Sequence, residues 1–102
     1  MQFLSQRKGQ RIHISVPVRL QGRADGGAPF EVEAWTLNIS HSGACIHVPE
    51  HIEVPPRLHI KSDDYQFLAD ADVDVIWERK LPQRSIGVKV RPGTRASAWN
   101  VR

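Results

Sequence analysis

A single cysteine, Cys45, is all the thiol chemistry this 102-residue chain possesses. That excludes an intrachain disulfide and a thiolate metal cluster. No run of apolar residues long enough to span a bilayer is present, and the first 20 residues carry arginines and polar groups where a secretory leader needs an apolar core. The chain therefore reads as soluble and cytoplasmic, without insertion into a membrane. The motifs G-x-S-x-G, C-x-x-C and H-E-x-x-H are missing, as is a Walker glycine loop, and each absence removes an enzyme class. Of the five histidines, His41, His47, His51 and His59 have no recognised ligand spacing, which leaves no metal site in the reading. Asp70, Asp72 and Asp74 share one side of an alternating stretch, a solvated face rather than an opposed acid/base pair. The expectation is a protein that is not an enzyme, with no catalytic residues and no cofactor. One small domain of this length has little room for a deep cleft, so any site should lie at the surface.

Acidic residues are also missing, but only from the ends. Residues 1–23 contain five basic side chains and no carboxylate, and residues 79–102 contain seven and none. All eleven carboxylates fall in residues 24–78, against two basic residues. If the two ends meet in space they form a local positive patch suited to a compact anion, on a body that a nucleic acid polymer would find partly repulsive.

What the sequence does have is alternation. Ile12, Ile14, Val16, Val18 and Leu20 oppose His13, Ser15, Pro17 and Arg19, the period of a half-buried strand, with Pro17 marking an edge, a bulge or an irregular start. Phe30, Val32 and Ala34 alternate with Glu31 and Glu33, and the phase slips through Trp35, Leu37 and Ile39 as a bulge would cause. Ala44, Ile46 and Val48 form a third strand, and Leu58 and Ile60 a fourth. Phe67 to Trp77 form a fifth, with Trp77 on the apolar face, and Ile86, Val88 and Val90 a sixth. "PEHIEVPP" and "RKLPQR" read as connections. Six short strands, each with one apolar face, predict an all-β fold: a six-stranded antiparallel β-barrel over residues 12–92. Residues 1–11 are expected to be a flexible basic lead-in, and residues 93–102 a tail or short helical turn. Two of the three tryptophans are expected in the core.

Two small groups could carry binding. Arg7 and Arg11 stand with three residues between them before the first strand, and Gly9 among those lets the segment bend. Each guanidinium is a planar fork of five donors that fits phosphate oxygens or the O6 and N7 edge of guanine. In "TLNISHSGACIHVP", Asn38, Ser40 and Gly43 sit at a turn between apolar stretches. A turn alone would explain the second group and a solvated terminus the first.

Taken in order, Arg7-x-x-x-Arg11 followed by Asn38-x-Ser40-x-x-Gly43, on a chain that ends its strands in "IGVKVRP", resembles the PilZ domain family of bacterial receptors for cyclic di-GMP. The likeness runs from about Arg7 to Pro92. It implies the six-stranded barrel and names cyclic di-GMP as the ligand. By the resemblance, Arg7 and Arg11 would hold guanine edges and phosphates, Asn38 a guanine edge, and Ser40 a phosphate or nearby backbone, while Gly43 allows the turn. Gln6 stands where many members carry another arginine. The resemblance further implies an effector protein or attached effector domain as partner, and no nucleic acid polymer. A ligand-independent interaction module of the same fold and a small RNA-binding barrel are the alternatives; the second would want exposed aromatic platforms.

Overall fold

The computed structural model describes residues 11–23, 27–92 and 98–101. Its strands are β1 (Pro17–Arg23), β2 (Pro29–Ile39), β3 (Gly43–His47), β4 (Arg57–Asp64), β5 (Phe67–Arg79), β6 (Ser85–Val90) and β7 (Ala98–Val101). All pairings are antiparallel, in the order β4-β1-β2-β3-β6-β5, and β5 pairs back onto β4. The six-stranded barrel is thus closed. Closure is what six one-sided strands require, since an open sheet would leave edges and half its apolar faces uncovered. Among the described residues no helix is long and apolar enough to cross a membrane.

The inward residues are those of the alternating pattern. Val18, Leu20, Ile46, Ile60, Phe67, Val73, Ile86 and Val88 are all buried in one cluster. The ladder of the first strand begins at Pro17 rather than Ile12. Pro17 has no amide hydrogen to give, and the residues before it follow β2 by other bonds. Ile12 forms an isolated bridge with Ile39. Buried Thr36 accepts a hydrogen bond from the Val16 amide at 2.9 Å and donates to the Ile14 carbonyl at 2.7 Å.

Two strands carry an extra residue. On β2 the register with β3 shifts between Thr36 and Asn38, the slip read from the sequence. On β5 the register with β6 shifts between Val75 and Trp77, with Ile76 inserted and 58% exposed. Each insertion exchanges inside and outside for the residues beyond it. Trp77 therefore leaves the apolar face on which the alternation placed it and lies outside the barrel. None of the three tryptophans is fully buried: Trp35 is exposed, and only Trp99 packs against the core.

Residues 98–101, expected in a tail or helical turn, form β7 instead and pair with the start of β5, Ala98 opposite Asp70 and Val101 opposite Phe67. Trp99 meets Phe67 edge-on at 5.0 Å between ring centroids. That contact supplies an apolar face too distant in sequence for a four-residue strand to announce.

The aspartate row of β5 is not merely solvated. His59 on β4 makes 2.6 Å bonds from Nδ1 to Asp72 and from Nε2 to Asp70. Both ring nitrogens facing carboxylates favours the imidazolium, which donates from each. Burial alone would lower the pKa of His59, but the two aspartates outweigh it and the net shift is upward from 6.5. Gln21 of β1 lies opposite His59 in register, and Arg57 and Lys61 flank it two residues away on β4. A raised folded-state pKa means that the stabilisation is complete below 6.5 and is lost as pH rises through the folded value. Denaturation midpoints should therefore fall relative to those of His59→Gln as pH is raised from about 6 to 8.5. A constant difference between the two proteins over that range would show that the clamp does not titrate there.

Candidate functional site

The two bulges face each other across the β3–β6 pair. Asn38 pairs with Cys45, Cys45 with Gly87, and Gly87 with Trp77, so these four form one row across the outside of the barrel. Asn38 and Trp77 stand at its ends because Leu37 and Ile76 are inserted just before them.

Into this row comes the segment before β1. Arg11 Nη1 donates to Asn38 Oδ1 at 2.6 Å, joining residues 27 positions apart. The arginine of the first motif and the amide of the second are thus brought together. The Ile12–Ile39 bridge fixes the approach, since it holds the backbone beside Arg11 to the end of β2. Arg7 and Gly9, the rest of the expected clasp, lie outside the described residues.

Ser40 and Gly43 build the turn. Ser40 is 5% exposed, its amide donates to the Gly43 carbonyl at 2.8 Å, and its hydroxyl accepts from the Ser42 amide at 3.4 Å. The Ser40 hydroxyl also donates to the Gly43 carbonyl at 3.3 Å. Gly43 is pressed against β6: a Cβ there would collide with the carbonyl oxygen of Val88. Close strand approach, rather than the turn conformation, thus demands glycine at this position. His41, between Ser40 and Ser42, is exposed.

The other end of the row holds residues that sequence reasoning did not assign to the site. The Trp77 ring lies so close on Gly87 that a Cβ on the glycine would fall against the indole atoms. The Arg79 guanidinium sits 4.9 Å from the Trp77 ring centre, a cation over an aromatic face. The available signal was Gly87 itself, a glycine within an otherwise regular strand, which marks a close approach of some other group. Cys45 forms the floor between the two ends and is 8% exposed. Burial pushes its thiol pKa up, against the pull of Arg11 and Arg79 and a hydrogen bond with Ser85. The two arginines therefore act on the same spot from opposite ends of the row, one from the N-terminal segment and one from the last hairpin.

Chemically the face offers a planar cation, an amide with a donor and an acceptor side, an indole and a second guanidinium. Such groups bind an anion with flat polar rings; among the described residues no cluster of histidine, cysteine and carboxylate could hold a metal. An open concavity of about 530 Å³ lies elsewhere, along Pro17, Arg19, Lys61 and Leu68, and shares no residue with the row.

The chain belongs to the PilZ domain family, whose profile matches residues 5–98. PilZ domains are non-catalytic ligand-binding modules, and the family as a whole serves cyclic di-GMP signalling in bacteria. No curated protein and no solved structure gives a significant match.

Proposed function

We propose that this chain binds cyclic di-GMP on the outer face between the two bulges. Arg7 and Arg11 hold phosphates and guanine edges, and Asn38 reads a guanine edge. Ser40 and Gly43 keep the turn in shape behind it. The ligand carries two phosphate charges and two purines, so it calls for a few focused cations, edge readers and an aromatic surface rather than a long basic stripe. Trp77 with Arg79 supplies a surface for a purine. Ordering of the N-terminal clasp on the ligand relays binding to a partner protein or attached effector domain.

The observation that carries the reading is the bond from Arg11 to Asn38, which joins the two motif halves on one surface. Titration calorimetry tests it. Cyclic di-GMP should bind with clear preference over GMP and GTP, because only the cyclic dimer presents paired phosphates and paired guanines together. Asn38→Ala should narrow that preference, since the amide is the group that distinguishes a donor from an acceptor on the base edge. No heat with cyclic di-GMP, and no competition by it, would assign the domain to ligand-independent protein interaction.

A further inference from the structure

We infer that Trp99 is a positioning residue for the binding turn, so that β7 is part of the receptor and is coupled to its occupancy; the inference rests on the cyclic di-GMP reading. Trp99 lies one residue past the end of the family match at residue 98, so the family likeness does not account for it.

The Trp99 indole Nε1 donates to the Ser40 carbonyl at 2.9 Å, across 59 residues. Ser40 is the hub of the turn. Its amide and hydroxyl are engaged with Gly43 and Ser42, and the turn is tied in addition to β6 by the Val90 amide donating to the Ser42 carbonyl at 2.8 Å. Only the carbonyl of Ser40 looks away from the turn, and the indole takes it. The indole is fixed in its own place by Phe67 edge-on at 5.0 Å and by the pairing of Trp99 with Ala69.

Peptide planarity extends the effect by one residue. The Ser40 carbonyl and the His41 amide hydrogen belong to one trans peptide and point in opposite directions. Holding the carbonyl toward Trp99 therefore aims the His41 N–H the other way, at the exposed edge of the turn. Among the described residues that amide finds no backbone acceptor. It is a backbone donor presented just beyond Asn38, the partner of Arg11, and is suited to a phosphate oxygen. Without the indole, the Ser40 carbonyl is a nearly buried acceptor with no donor, and rotation of the peptide becomes favourable. The coupling is reciprocal: a ligand that pulls on the His41 N–H stiffens the peptide and strengthens the bond to Trp99.

The test uses the whole chain and cyclic di-GMP. Trp99→Phe keeps a ring against Phe67 and deletes only the donor. It should raise Kd about fivefold to tenfold, the size of the one hydrogen bond that a misaimed His41 amide no longer gives, while the melting temperature falls by roughly 4–8 °C and the domain stays folded. In the wild type, under conditions where core amides do not exchange, saturating cyclic di-GMP should slow the local-opening exchange of the Trp99 indole hydrogen, a change that a merely structural contact would not show. The exchange measurement needs no variant and so decides the matter even if Trp99→Phe folds poorly. Unchanged affinity in a folded Trp99→Phe, or indole exchange indifferent to ligand, overturns this inference and leaves the receptor reading in place. Failure of the wild type to bind cyclic di-GMP overturns the receptor reading, and this role with it.

Discussion

Arg11→Ala will weaken cyclic di-GMP binding by about 1.5–3 kcal/mol, roughly a 10- to 150-fold rise in Kd, and will leave the melting temperature almost unchanged. The affinity loss is that of a charge-assisted hydrogen bond removed from an anion. The indifference of stability stems from position. Arg11 is exposed, precedes β1 and makes its bond to Asn38 at the surface, where one hydrogen bond adds little to folding. Arg7→Ala is expected to cost a similar amount of affinity. Calorimetry and thermal melts on the same samples separate the two effects, and Arg11→Ala combined with Asn38→Ala measures their coupling. Wild-type affinity in both arginine variants would remove the clasp from the assignment.

Arg84→Ala will have the opposite profile, a stability loss of about 3 kcal/mol, or roughly 12–20 °C in melting temperature for a domain of this size. Arg84 sits just before β6 with its side chain only 12% exposed. Its Nη1 donates to the carbonyls of Pro49, Glu50 and Ile52 at 2.9, 3.1 and 2.6 Å, and its Nε to Glu78 at 2.9 Å. One guanidinium thus organises "PEHI", a stretch whose carbonyls have no strand to bond. Removing it leaves those acceptors partly unserved and Glu78 without its cation. Urea denaturation checks the magnitude. Arg84→Lys should recover only part of the loss, because an ammonium lacks the planar fork that spans separate acceptors. A change within about 0.5 kcal/mol in the alanine variant would show that the loop holds itself.

The inner wall of the barrel was legible because a period of two leaves little choice of face. Leu20, Ile60, Phe67, Val73 and Val88 all fall where the alternation puts them. The slip on β2 was legible too, since the apolar phase of Phe30, Val32 and Ala34 does not continue into Trp35, Leu37 and Ile39. Its counterpart on β5 was not. In "VDVIWER" the inserted Ile76 is as apolar as its neighbours, so Val73, Val75 and Trp77 continue a pattern that the backbone has already broken. Half of the candidate face was lost to sequence reasoning at that point, for Trp77 and Arg79 moved with the shift. β7 was hidden for another reason. Four residues carry too little periodicity to be seen, and the groups that hold them, Phe67 and the Ser40 carbonyl, are remote in the chain. Arg84 likewise looked like one more charge in a loop, because its role resides in carbonyls that no side-chain pattern displays. The two motif halves were recognisable only as an ordered pair; their meeting in space depends on the Ile12–Ile39 bridge, which neither motif contains.

The paired bulges make the candidate face a dislocation in an otherwise regular lattice. Leu37 and Ile76 each add one residue to a strand, and between the two faults lies the row Asn38, Cys45, Gly87 and Trp77. Like a fault in a crystal, each can be healed by removing a single unit: without Leu37 or Ile76 the flanking pairs Thr36–Ile46 and Asn38–Cys45, or Val75–Val88 and Trp77–Gly87, follow one another without a break, and no residue changes face. The row therefore survives a one-codon deletion of either residue, and what such a deletion removes is the local bend that the extra residue gives its strand. The facing of the row is set by the pairing of its strands, and its curvature by the count of residues in two of them.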